Sequence, residues 1–122
     1  MTDLTFLPAV AMARRVREKK ISPVELAAAH LAKIERLNPT LNAFVHVDAE
    51  RVRAEARAAE AAAKNGEVLG PLHGVPISIK SSIAVAGLRH EAGTRRRAGL
   101  IAQQDAPLVA LSLIHISEPT RP

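Results

Sequence analysis

The chain has 122 residues, a net charge of +5 and 48% apolar residues, yet only two Phe and no Trp or Tyr, so it is one domain or part of one, with a core of small aliphatic side chains. The absence of cysteine excludes a disulfide framework and a Cys-ligated zinc site, and it fits a reducing compartment. No run approaches the roughly 18 apolar residues of a membrane span, the N-terminus lacks the basic start and long apolar stretch of a signal peptide, and the basic residues alternate with acids without interleaved aromatics for base stacking; the chain therefore reads as cytoplasmic, with neither a membrane nor a nucleic acid as partner.

Residues 7–19 are expected to form a first helix, with Pro8 in its opening turn. Ser22, Pro23 and Glu25 then occupy the cap, first and third positions of a second helix, a capping box in which the Ser oxygen and the Glu carboxylate satisfy free backbone N–H groups. Ala27, Leu31, Ile34 and Leu37 recur at spacings of three and four and form one apolar stripe. Asn38-Pro39 predicts the end of this helix, because the residue before a proline is pushed out of the helical region. A third helix is expected from Asp48 to Lys64, nearly all Ala, Glu and Arg, closed by Asn65-Gly66. Its few large side chains suit a surface layer on a larger body. As an alternative, residues 1–65 could form a free-standing helical interaction module.

The character changes at GPLHGVPISIKSSIAVAG. Val75, Ile77 and Ile79 alternate with Pro76, Ser78 and Lys80, the period of a strand. Three helices, a strand, a Gly-bearing loop and a further helix start at QQDAPLVA place the chain in the α/β class, with the partner strands elsewhere. At that last start Asp105 can cap, and Pro107 is tolerated in the first turn.

Lys80 is the residue that could carry chemistry. In a strand it shares a side with Ser78, opposite Val75, Ile77 and Ile79. Burial would disfavour its ammonium form and leave a neutral amine able to act as a base; the other reading is a strand-end Lys reaching into water. Ser81 and Ser82 follow directly, but adjacent strand residues face opposite ways, so both read as loop or cap serines. His30, His46, His73 and His90 do not cluster, with His73 in the Gly-rich turn and His90 in an exposed loop. No pair has the spacing of a helical metal site, and no Gly-Lys-Ser/Thr follows GPLHGVP as a phosphate loop would require, so neither a metal nor another cofactor is expected.

GPLHGVPISIKSSIAVAGLRHEAGT resembles the N-terminal block of the amidase signature family. The upstream SPVELAAAHLAKIERLNPTLNAFV is similar to the helix before that block, and QQDAPLVA to the start of the next helix; the resemblance covers about residues 7–110. It implies an α/β fold with helices around a mixed central sheet, incomplete in this chain, and a parent enzyme that hydrolyses the C–N bond of small-molecule carboxamides. Lys80 falls on the base of the family's Ser-Ser-Lys triad. Both catalytic serines lie downstream in the family, so residues 1–110 carry the base without its nucleophile and are expected to be inactive alone. The family often has Asp-Asn after the Lys, where this chain has Ser81-Ser82, a departure that bears on subfamily and substrate. Some members are the catalytic components of aminoacyl-tRNA amidotransferases, which would bring partner subunits; a homodimer of the full-length parent is the other assembly to expect. Finally, LSLIHISEPTRP at 111–122 resembles the conceptual translation of a sequencing adapter and is expected to be non-native.

Overall fold

A computed structural model describes residues 3–67 and 69–112. Four helices account for its regular structure: α1 (Ala9–Arg17), α2 (Pro23–Leu41), α3 (Ala49–Lys64) and the short α4 (Pro107–Ser112), with single 3₁₀ turns at Leu4–Phe6 and Arg95–Arg97. No helix of the described residues is long and apolar enough to cross a membrane. Of the stretch 111–122, for which a non-native origin is the expectation from sequence, residues 111–112 end α4, and residues 113–122 lie outside the described residues.

The helix starts follow their punctuation. Pro8 caps α1. At α2 the capping box is complete, with the Glu25 amide donating to Ser22 Oγ (3.0 Å) and the Ser22 amide donating to the Glu25 carboxylate (2.9 Å). Asp48 accepts from the Arg51 amide at the head of α3, and Asn65 closes its end. The expected stop at Asn38-Pro39 is corrected: α2 runs through Pro39 to Leu41 and ends on Asn42 in the left-handed region (φ 51°). The missing N–H of Pro39 removes one helical hydrogen bond. Against that loss, the Asn38 side chain clamps Phe44, donating to its carbonyl and accepting from its amide, both at 2.8 Å. The Asn42 amide donates back to the Asn38 carbonyl at 2.7 Å.

The core is small and aliphatic, as the composition requires. Met12, Val16 and Leu26 are buried together, with Leu4, Leu7, Ile21 and Val75 packed against them. Leu26, which lies outside the stripe read from the sequence, is the most completely buried large side chain. Of that stripe Ala27 and Leu31 are buried, whereas Ile34 and Leu37 are partly open. α3 packs against α2 but contributes only Ala56 to the buried set.

The expected strand at 75–80 is corrected as well. Among the described residues there is no strand; residues 75–80 follow an irregular path, and the only ladder-like pairing is an isolated antiparallel bridge between Arg89 and Ile101. A strand requires a neighbour to complete its hydrogen bonds, and none of the described segments runs beside 75–80. Val75 faces the core, but Ile77 is 50% exposed, so the alternation holds at one end only. Among the described residues the chain is therefore helical, and the expected sheet does not appear.

Candidate active site

The segment bearing Lys80 enters through the turn at residues 70–74. The His73 amide donates to the Gly70 carbonyl (3.2 Å) and the Val75 amide to the Leu72 carbonyl (3.1 Å). Gly74 sits at φ +81° against the start of α2, where an added Cβ would lie 2.9 Å from Pro23 Cγ and 3.2 Å from Val16 Cγ1. A left-handed backbone and a close approach both demand glycine there. His73, read from the sequence as a turn residue, is buried; its Nε2–H donates to the Ala59 carbonyl of α3 at 2.8 Å, and its Nδ1 has no hydrogen-bond partner. Nothing in its sequence context signals that burial beyond the flanking Gly and Pro residues. The Arg17 guanidinium adds a tie to the Pro71 carbonyl at 3.3 Å.

The segment leaves through a second turn, in which the Ile83 amide donates to the Lys80 carbonyl at 2.9 Å and Ser81 and Ser82 hold the middle positions. Both serines are therefore turn residues. His90 lies against this turn: its Nε2–H donates to the Ser82 carbonyl at 3.1 Å, and the Arg97 guanidinium approaches its Nδ1 at 3.0 Å. His90 is thus part of a packed contact instead of a free loop side chain. Beyond it, Arg51 of α3 donates to the Ala86 carbonyl (2.6 Å) and pairs with Glu55 (2.9 Å), while Asp105 accepts from the Ala86 amide at 2.8 Å. Arg51 escaped the sequence reading because a lone Arg in an Ala/Glu/Arg helix resembles its solvated neighbours.

Lys80 itself is exposed, at the junction of two apolar grooves of about 230 Å³ each. One lies between α2, α3 and residues 76–89; the other is walled by Ile77, Ile79, Ile83, Leu108 and Val109. Ser78 lies beside Lys80 on both grooves. The remaining histidines stay apart. His30 donates from Nδ1 to the Leu26 carbonyl (2.8 Å) within α2, and His46 is exposed. Among the described residues no group of three or more His, Asp or Glu converges on a cation site.

Comparison with known proteins accounts for this arrangement. The Amidase family profile matches residues 25–112. The A-type subunit of a glutamyl-tRNA(Gln) amidotransferase from Salinispora arenicola (strain CNS-205) is 39% identical over 109 residues, 89% of this chain and 22% of that protein. An acylamidase from Rhodococcus erythropolis is 39% identical over 107 residues, 88% of this chain and 22% of its own length. Among solved structures, a bacterial aryl acylamidase of the amidase signature family superposes with a TM-score of 0.82 at 27% identity, over 93% of this chain and 24% of that one. A vestigial complex related to the origin of an s-triazine catabolic enzyme, with inhibitor bound, gives 0.85 at 29% identity, over 92% and 25%. The chain therefore spans about a quarter or less of the length of these relatives. A profile match over most of the chain, together with a helical framework that superposes on solved amidase signature enzymes, shows that this chain belongs to the amidase family.

Proposed function

We propose that the parent protein is a cytoplasmic amidase that hydrolyses small-molecule carboxamides, and that Lys80 is the base of its Ser-Ser-Lys triad. The observation that carries this reading is the position of Lys80 within GPLHGVPISIK, at the meeting of two apolar grooves. In the reaction, neutral Lys80 takes a proton from a bridging Ser, which takes one from the nucleophilic Ser. That hydroxyl oxygen attacks the amide carbonyl, the amine leaves with a proton, and water then cleaves the acyl-enzyme to the carboxylate. Backbone N–H groups beside the nucleophile would hold the oxyanion.

Both serines are supplied by sequence that this chain does not contain, so residues 1–110 provide the base alone. Amide hydrolysis by the purified chain is expected to be undetectable. Hydrolysis that disappears in Lys80→Ala would overturn that expectation, and full activity of a Lys80→Ala full-length parent would overturn the assignment of the base.

A second reading has its own support, since an acylamidase and a glutamyl-tRNA(Gln) amidotransferase component are equally similar to this chain. In an amidotransferase the same chemistry would release ammonia for an aminoacyl-tRNA, and the full-length protein would recover partner subunits in a pull-down. A free amidase would be active without them. The helical-module alternative has less support, because Val75 shares the core of α1 and α2 and the turn at residues 70–74 is tied to both α1 and α3.

A further inference from the structure

We infer that His73 and His90 are positioning residues that hold the Lys80 segment at its two ends. A strand is ordinarily kept straight and in register by its ladder. Residues 75–80 have no such ladder among the described residues, so their placement depends on where the segment begins and ends. At the entrance the buried His73 donates through Nε2–H to the Ala59 carbonyl of α3. At the exit His90 donates through Nε2–H to the Ser82 carbonyl, in the turn that the Ile83 amide closes onto Lys80. Both acceptors are carbonyl oxygens, which can only accept, so both imidazoles must carry their proton on Nε2.

The two contacts differ in their other nitrogen. Arg97 Nη2 lies 3.0 Å from His90 Nδ1 and 3.3 Å from Nε2, so the guanidinium packs across the ring, and the Ser82 carbonyl alone assigns the Nε2 proton. His73 Nδ1 is buried without a partner, so the latch to Ala59 is the one polar contact of that ring. A buried ring that leaves one nitrogen unsatisfied is costly to keep. An apolar side chain of similar size would fill the space without that cost, so the gain from histidine lies in the direction of its donor.

The functional consequence rests on Lys80 being the base, but the clamp does not, and it can be measured in the chain as it stands. Long-range proton–nitrogen spectra of the labelled chain should show both imidazoles as the Nε2–H tautomer with slowly exchanging Nε2 protons. His73→Leu should speed exchange of the Val75 amide, and His90→Leu that of the Ile83 amide, each by about tenfold, with the Leu31 amide in mid-α2 unchanged. His73→Gln and His90→Gln, which return an N–H close to the Nε2 position, should recover most of the protection. An Nδ1–H tautomer at either ring, unchanged exchange at Val75 and Ile83, or equal acceleration at Leu31 would overturn the inference. Should a Leu variant fail to fold, the imidazole spectrum of the unaltered chain decides it. A protected Ile83 amide in a protein whose full-length parent hydrolyses no amide would leave the clamp intact and remove the catalytic reading instead.

Discussion

Gly74→Ala tests whether the Lys80 segment is anchored on the α1–α2 core. At φ +81° a residue with a Cβ meets a left-handed penalty of about 1–2 kcal/mol. The new methyl would also stand 2.9 Å from Pro23 Cγ and 3.2 Å from Val16 Cγ1. Neither atom can retreat easily, since Pro23 is a ring at the first position of α2 and Val16 is 3% exposed within the core. Overpacking of this kind costs about 1–3 kcal/mol, and the lower entropy of the unfolded alanine chain returns about 0.4–1 kcal/mol. The net loss should be about 3 kcal/mol, a large part of the stability of a small domain. Gly99 is the control: its φ is +78° but a Cβ there meets nothing within 4 Å, so Gly99→Ala keeps the backbone term and loses the packing term. That variant should lose about 1 kcal/mol. Urea titrations followed by far-UV circular dichroism, which reports α1–α3, measure both. If the two variants agree within about 0.5 kcal/mol, the turn does not pack on Pro23 and Val16 and the anchoring argument fails.

Asn38→Ala removes both hydrogen bonds to Phe44 and should cost about 2 kcal/mol in the same titration; an unchanged midpoint would mean that Asn42 alone ends α2. Arg51→Met breaks the contact from α3 to the Ala86 carbonyl and should cost about 1–2 kcal/mol, while Glu55→Gln, which leaves that contact in place, should cost less. Asp3 offers a test in acid. The Thr5 hydroxyl and amide, helped by Lys33, hold its carboxyl below the ordinary 3.8. A depressed native value means that the unfolded chain binds more protons, so the contribution is present above 3.8 and is lost as pH falls through the lower native value. A carboxyl-carbon NMR titration should therefore give a midpoint below 3.8, with the Thr5 amide signal moving in step; a midpoint at 3.8 or above contradicts the Thr5 contacts. Sequencing of the source DNA across the codon for Ala110 should show the reading frame departing from LSLIHISEPTRP, and the same twelve codons in the genome would establish that stretch as native.

Much of the local chemistry was legible in the sequence. Ser22 and Glu25 at the head of α2 and Asn65-Gly66 at the end of α3 act within three or four residues of where they stand, whereas the capping by Asp48 of α3 and by Asp3 of the first 3₁₀ turn was not read. Contacts that close over longer separations were not legible. The stop at Pro39 was overridden by Asn38 reaching to Phe44, and His73 was drawn into the interior by a carbonyl fourteen residues away. The strand at 75–80 failed for another reason. Its alternation is real, but a pleated pattern describes two faces waiting for neighbours, and only Val75 finds one here. Lys80 was singled out by the motif around it and not by its surroundings; in this chain it is one exposed lysine among several.

That exposure carries a consequence for how the base would be activated. A lysine acts as a base only when its ammonium form is disfavoured, and the main means is removal of water. This chain places Lys80 between Ile77, Ile79, Ile83, Leu108 and Val109 but leaves the groove open, with Ile77 at 50% and Leu108 at 63% exposure. The apolar walls are therefore built by these residues on a groove that is open in this chain. With Lys80 as the proposed base, any surface that covers the groove in the full-length protein would also dry the amine, so a change at Ile77 should lower the rate before it disturbs the helical fold. Ile77→Ser in the full-length protein would separate the two. The turnover rate should fall with the helical signal and KM unchanged, because a polar side chain replaces the apolar wall beside Lys80. A rise in KM at unchanged turnover would instead place Ile77 in substrate binding and detach the drying of the groove from the chemistry.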